Sequence, residues 1–272
     1  MKFAWNLIVV AGLLVGGTGL DSQEIILATT TSVRDAGLLD ELLPIFERRT
    51  GLSVRTIAVG SGQALALGRR GEADILIVHD APSELEFIRE GYGTVRAALM
   101  HNEFILVGPA TDPAGVRGRG TTEAFRRIAT LGATRFMSRG DDSGTHRREL
   151  MLWRGAGVAP NQSWYLEAGQ GMSATLQIAY EFQAYALTDI GTYLTHPASE
   201  GLEILVQGDS TLANPYHVLL VNPERHPRVN ATLARLLLEY LVDPETQATI
   251  GSFRRSEFGR SIFVPDAVSS VH

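Results

Sequence analysis

Cysteine is absent from the 272-residue sequence, which excludes disulfides, thiolate metal sites and cysteine nucleophiles. Positive charge is also scarce, with 24 Lys and Arg against 30 Asp and Glu and a formal net charge of −6. An acidic chain argues against a nucleic-acid groove or a polybasic membrane surface as the main function. Charged residues make up 20% and hydrophobic residues 44%, which is enough apolar material for a packed globular core.

Long hydrophobic runs are missing after the N-terminus. Lys2 precedes an apolar run over residues 7–15 and small residues over 16–19, the pattern of a secretory signal peptide covering residues 1–20. This run is shorter than the roughly 20 residues that span a membrane. An alternative interpretation of residues 1–20 is a buried N-terminal helix, but the charge and hydrophobic pattern favours a signal peptide. We therefore expect a periplasmic protein that is exported through this signal and then released from it.

The segments after Glu24 alternate between short β-branched runs and amphipathic stretches. This alternation predicts an α/β fold with parallel strands, as one large domain or two modest lobes. The predicted strands are residues 24–28, 53–59, 73–78, 103–107, 134–137, 164–167, 184–187 and 203–206, and residues 216–221 are apolar throughout. The predicted helices are residues 34–49, 63–70, 122–129, 145–154, 173–182 and 231–251, the last of them interrupted near Pro244.

Four junctions between a strand and a helix hold more hydroxyl and glycine residues than the start of a helix needs. They are residues 29–32 (TTTS), 60–63 (GSGQ), 138–146 (SRGDDSGTH) and 169–173 (GQGMS). The first turn of a helix presents unpaired N–H groups and a partial positive charge, so each junction is a candidate anion site. The only Lys or Arg in these junctions is Arg139. If the junctions converge, they form a site made of hydrogen-bond donors.

Each junction also has an ordinary structural interpretation. A Ser or Thr before a helix is usually an N-cap, and Gly60 and Gly62 could simply permit a tight turn. Asp141 and Asp142 could cap the next helix or pair with Arg139, Arg147 or Arg148. His146 is more often a surface residue than a metal ligand at such a position. We expect no resident metal ion and no cofactor.

Enzyme motifs in the sequence are weak. Gly169, Gly171 and Ala174, with Asp189 about 20 residues from the first glycine, match a dinucleotide-binding fingerprint, which leaves a dinucleotide-dependent oxidoreductase as a distant alternative. Residues 142–145 (DSGT) match an aspartic-protease signature, but that chemistry needs two such carboxylates and only one copy is present. No G-x-S-x-G, H-E-x-x-H or Walker A motif occurs. We therefore predict a binding protein rather than an enzyme.

Several longer segments resemble one family. They are ATTTSVRDAGLLDELLPIFERRTG, AVGSGQAL, ADILIVH, NEFILVGPATDPAG, SRGDDSGTH, EAGQGM, LTDIGTYL and NPYHVLLVNP. From about Ile25 to Phe263 the chain closely resembles the tungstate-binding periplasmic proteins of ABC importers. This resemblance implies a type II periplasmic-binding-protein fold, in which two α/β lobes are joined by two crossings and enclose a ligand. With crossings near residues 101–104 and 214–217, lobe one would hold residues 22–103 and 216–272, and lobe two residues 104–215.

The resemblance also implies which residues bind the ligand. The implied oxyanion-binding residues are Thr31, Ser32, Ser61, Arg139 and Thr145, with Thr30 as a further candidate. The family pattern reads GTGQAL and TDRGT where this chain has Ser61 and Ile190. Serine keeps the hydroxyl group, whereas Ile190 removes an arginine from the second lobe.

The function implied is a monomeric, high-affinity receptor that delivers tungstate to an ABC permease and its ATPase subunit. Tungstate is a tetrahedral dianion without a proton at neutral pH, so hydroxyl and N–H donors with one guanidinium suit it. Molybdate is the nearest alternative ligand, followed by sulfate and phosphate, because a sequence does not report the radius of the pocket.

Overall fold

The computed structural model describes residues 24–131, 134–160 and 163–267, so the predicted signal over residues 1–20 lies outside it. The strands in these ranges are β1 (Glu24–Thr30), β2 (Ser53–Val59), β3 (Ile75–Val78), β4 (Gly93–Gly108), β5 (Phe136–Ser138), β6 (Tyr165–Glu167), β7 (Ala186–Asp189), β8 (Glu203–Val206), β9 (Ala213–Val221) and β10 (Val264–Pro265). The α-helices are α1 (Thr31–Ala36), α2 (Leu38–Thr50), α3 (Ser61–Arg69), α4 (Ala81–Arg89), α5 (Thr121–Thr130), α6 (Gly144–Gly155), α7 (Met172–Glu181), α8 (Ile190–Thr195), α9 (Ala231–Val242), α10 (Pro244–Ser252) and α11 (Arg255–Phe258). Within these ranges no helix has both the length and the apolar character that a membrane crossing requires.

The first lobe is built on a sheet with the strand order β10-β4-β9-β3-β1-β2. β1 pairs in parallel with β2 and β3, because helical crossovers (α1 with α2, and α3) return the chain to the end of the sheet at which β1 begins. β3 (ILIV) is completely buried, as expected for a strand covered on both faces. Two apolar clusters provide this cover, one of them around Phe46 and the other around Phe87.

The second lobe is built on the other end of β4. Residues 104–108 of β4 pair with β7 and β8 in antiparallel fashion, and β5 pairs in parallel with β6. An aromatic cluster fills the core of this lobe, with Trp153 packed edge-on against Phe125 at 4.5 Å and Phe136 at 5.0 Å between ring centroids. The β5–α6 junction, which contains Arg139, extends from this core.

The two lobes are joined where β4 changes partner. Glu103 of β4 pairs with Ala213 of β9 in the first sheet, and the next residue, Phe104, pairs with Asp189 of β7. Beside this point Asn214 Nδ2 donates to Asn102 Oδ1 at 2.7 Å, and both side chains are buried. Because the outgoing and returning strands are hydrogen-bonded side by side, the connection is a paired ribbon rather than two free linkers.

Several predicted elements need correction. The sheets are mixed rather than wholly parallel, because β4 and β9 each run between the lobes and pair antiparallel with their neighbours. The helix predicted over residues 34–49 is two helices, separated at Gly37, whose φ of +82° ends α1 in the left-handed conformation. Helix α4, residues 93–102 of β4 and helix α8 were not predicted; α8 has six residues, which is too short for a helical period to be recognised.

Candidate functional site

The first junction places hydroxyl groups between β1 and α1. Thr30 and Ser32 are buried, and their hydroxyl oxygens lie 3.0 Å apart. No side chain caps α1, so the N-cap interpretation does not hold at this junction. Ser32 Oγ lies 3.4 Å from the hydroxyl of Tyr216. The surplus hydroxyls are therefore not explained by helix capping.

The second junction lies against the third. Ser61 is buried, its Oγ accepts from the His79 backbone N–H at 3.5 Å, and α3 has no side-chain cap. A Cβ atom on Gly144, the first residue of α6, would lie only 3.2 Å from Ser61 Oγ and 3.1 Å from the His79 ring. The N-terminus of α6 in the second lobe thus rests on Ser61 of the first lobe, and glycine at position 144 permits this approach.

The third junction contains the buried cation. Arg139 follows β5, is 5% exposed, and donates through Nη2 to Asp141 Oδ2. Asp141 Oδ1 accepts from the Ser143 backbone N–H at 3.2 Å. Ser143 caps α6 by accepting from the backbone N–H of His146 at 3.3 Å. The predicted ion pair with Arg139 is therefore present, but the predicted capping role of Asp141 or Asp142 is wrong, because Ser143 fills it.

The buried Nε donor of Arg139 is not used by the part of the protein that the structure describes. Arg139 Nε is buried and has no hydrogen-bond partner among the residues that the structure describes. A buried donor without a partner costs about 1 to 3 kcal/mol relative to a satisfied one. An anion that accepts from Nε would remove this cost, so the guanidinium is suited to hold an oxyanion beside Asp141.

Thr145 and the fourth junction (residues 169–173) complete the predicted anion sites. Thr145 is the second residue of α6 and is buried. At the fourth junction the Gly169 backbone N–H donates to the Arg139 carbonyl at 2.8 Å. Gly140 has φ of +61°, and a Cβ there would lie 2.7 Å from Glu167 Cβ, so this turn requires glycine. These contacts of Gly169 and Glu167 therefore hold the backbone of the third junction in place.

A buried polar network that was not predicted from the sequence connects these junctions. His79 Nδ1 lies 2.7 Å from Asn214 Oδ1, and its ring stacks on Tyr216 with centroids 4.7 Å apart. Burial lowers the pKa of His79, so the ring is neutral at neutral pH. Since an amide oxygen only accepts, Nδ1 carries the proton and donates to Asn214. Asn214 and Tyr216 are two residues apart on β9 and share one face, which was the available signal in the sequence.

Asp189 and Ile190 have structural roles in the second lobe. Asp189 is buried and caps α8, accepting from the Thr192 backbone N–H at 2.9 Å and from the Thr192 hydroxyl at 2.6 Å. Ile190 is buried in an apolar cluster with Tyr193 and Leu176. The position at which the family pattern has arginine is therefore used for core packing in this chain.

The two-lobed α/β fold described above agrees with the family that comparison with known proteins identifies. A model of the PBP superfamily domain matches residues 17–245. The tungstate-binding protein TupA of Peptoclostridium acidaminophilum is 44% identical over 245 residues, covering 89% of this chain and 86% of that protein. The chain belongs to the PBP superfamily and, within it, to the TupA family. The predicted resemblance is confirmed.

Solved structures in the same family share the fold. The tungstate-binding protein TupA from Desulfovibrio alaskensis G20 is 42% identical, covers 90% of this chain and 100% of its own, and superposes with a TM-score of 0.78. The tungstate ABC transporter structure from Geobacter sulfurreducens is 46% identical over 85% of this chain and 98% of its own, with a TM-score of 0.77. The predicted periplasmic-binding-protein fold is therefore confirmed, and these relatives are binding proteins associated with transport.

Proposed function

We propose that this protein is a periplasmic receptor that encloses a tetrahedral oxyanion, tungstate before others, and delivers it to an ABC permease and its ATPase subunit. The observation that carries the proposal is Arg139, a buried guanidinium that precedes the N-terminus of α6 and whose Nε has no partner within the described part of the chain. Relatives of this chain are named as tungstate-binding proteins, and this supports tungstate as the ligand of the site. We further propose that the receptor acts as a monomer.

The proposed ligand groups come from both lobes. The lobes themselves are proposed to comprise residues 22–103 with 216–272, and residues 104–215. The first lobe offers the hydroxyls of Thr31, Ser32 and Ser61, with Thr30 behind Ser32; the second offers Arg139 and Thr145. The contact of Gly144 with Ser61 and His79 supports this convergence, because it brings α6 onto the first lobe. A ligand held by both lobes stabilises the closed form, which is the state that a transport partner can distinguish.

The donor set favours a fully ionised anion. Tungstate presents oxygens that only accept, so hydroxyl, amide and guanidinium donors can all be used. Hydrogen phosphate also needs an acceptor for its proton. Asp141 is the carboxylate beside Arg139, and its two oxygens already accept from Arg139 and from the Ser143 backbone. We propose that Asp141 serves as the partner of Arg139 rather than as the acceptor for a phosphate proton, and that tungstate or molybdate therefore suits the site better than hydrogen phosphate.

We propose that no reaction is catalysed at this site. The oxidoreductase alternative needs Asp189 to accept from a ribose hydroxyl. Asp189 is instead buried, with both carboxylate oxygens bonded to Thr192. Fluorescence titration with NADH is expected to show no binding.

Competition calorimetry tests the proposed ligand. We expect tungstate to bind with one site per chain, molybdate more weakly, and sulfate and phosphate to fail to displace tungstate at millimolar concentrations. Native mass spectrometry of protein purified from a periplasmic extract should show a retained tungstate adduct. Preferential binding of phosphate or sulfate, or no heat with any of the four anions in protein from which retained anion has been removed, would contradict the proposal.

A further inference from the structure

A charged contact joins the two lobes beside the proposed site. Arg147 on α6 of the second lobe donates through Nη1 to Asp80 Oδ2 at 2.7 Å and to Ser83 Oγ at 2.8 Å. Asp80 and Ser83 lie at the start of α4 in the first lobe. Because the partners belong to different lobes, this contact forms only while the lobes are together.

The guanidinium is held in position from its own lobe. Arg147 Nε donates to Asp142 Oδ1 at 2.9 Å, and Nη2 donates to Asp142 Oδ2 at 2.8 Å. This two-pronged pair fixes the plane of the guanidinium and leaves Nη1 directed at the other lobe. The Asp80 side chain is 9% exposed and that of Asp142 is 77% exposed. The interaction across the cleft is therefore the less screened of the two.

Arg147 lies at the mouth of the cleft and not within the proposed ligand set. A Cβ on Gly62 would lie 3.1 Å from Arg147 Nη2, so the guanidinium rests on the start of α3, one residue after Ser61. A cleft of about 320 Å³ at this boundary is lined by Gly60, Gly62 and Gln63 of the first lobe and by Asp141, Asp142 and Arg147 of the second. Each nitrogen of the guanidinium already donates to the protein.

We propose that Arg147 and Asp80 form a latch that sets the balance between the open and closed lobes, and through it the affinity for the oxyanion. The proposal rests on the function proposed above. A contact present only in the closed state shifts that balance by its own free energy, whichever anion is enclosed. Arg147 is therefore a positioning residue, and its loss should weaken the binding of every oxyanion by the same factor.

The test combines binding with the shape of the ligand-free protein. Arg147→Gln and Asp80→Asn are each expected to weaken the binding of tungstate and of molybdate by the same factor. We expect this factor to be about fivefold to tenfold, which is the lower part of the usual range for coupling between sites. The double variant should bind no more weakly than either single variant, because each of the three variants removes the same contact. Small-angle X-ray scattering without ligand should give a larger radius of gyration for the variants than for the wild type.

Arg119→Gln is the matched control, because it removes an ion pair with Glu123 that lies within the second lobe and makes the same change in charge. It should leave both the affinities and the scattering unchanged. Unchanged affinity in Arg147→Gln and Asp80→Asn while the wild type binds tungstate would overturn the latch alone. A loss confined to one oxyanion would make Arg147 a ligand contact and would also overturn it. Failure of the wild type to bind either anion would instead overturn the proposed function, and the scattering comparison would still test the latch.

Discussion

Arg139→Ala is expected to weaken tungstate binding at least about tenfold in titration calorimetry. The guanidinium is buried, and without it a dianion in a low-dielectric cleft would lose the cation that pairs with it. Each hydrogen bond to a charged group contributes about 1.5 to 3 kcal/mol, and a loss of about 1.4 kcal/mol is tenfold in affinity. The variant also leaves the Asp141 carboxylate without its cation and near the anion, which adds repulsion.

Two further variants separate charge from general damage. Arg139→Lys keeps the positive charge but loses the planar pair of donors, so its affinity should lie between the wild type and alanine. Arg117→Ala removes an exposed arginine that pairs with Glu203 in the same lobe and should bind as the wild type does. Wild-type affinity in a folded Arg139→Ala protein would remove this residue from the site.

Glu149→Gln is expected to change how stability depends on pH. Glu149 is buried on α6, where its Oε1 accepts from Tyr165 Oη at 2.7 Å and from Trp153 Nε1 at 3.1 Å. Burial raises the pKa of Glu149 to about 7 from its ordinary value of 4.5. The neutral acid therefore favours the folded state below about pH 4.5, and this contribution is lost as the pH rises through about 7. The shift corresponds to about 3 kcal/mol.

Urea unfolding between pH 4.5 and 8 measures this effect. The free energy of unfolding of the wild type should fall by about 3 kcal/mol relative to Glu149→Gln across that window, because glutamine keeps an acceptor and carries no charge. Glu123→Gln, at an exposed position on α5, should run parallel to the wild type. Parallel curves for the wild type and Glu149→Gln would show that Glu149 titrates in its ordinary range.

The sequence predicts the features that depend on neighbouring residues. The strand at residues 53–59 and the helix break near Pro244 were predicted at their observed places, because each follows from the local pattern of side chains. The surplus hydroxyls at residues 29–32 were also visible, since one cap serves a helix and four were present. The structure adds that none of them caps α1.

Contacts between distant segments could not be predicted in this way. His79 and Asn214 are 135 positions apart and meet only because β3 and β9 are neighbours in the first sheet. The approach of Gly144 to Ser61 depends on how the two lobes meet, which local periodicity does not encode. Asp189 looked like a dinucleotide ligand by spacing alone, and its cap of α8 is evident only from the fold.

Anomalous diffraction from tungstate-soaked or co-crystallised protein, collected at a tungsten absorption edge, tests the central claim most directly. We expect a single strong peak between the lobes, placed so that the oxygens bonded to the tungsten accept from Ser32 and Ser61 on one side and from Arg139 Nε and Thr145 on the other. A peak on an outer surface, or none at saturating tungstate, would contradict the account.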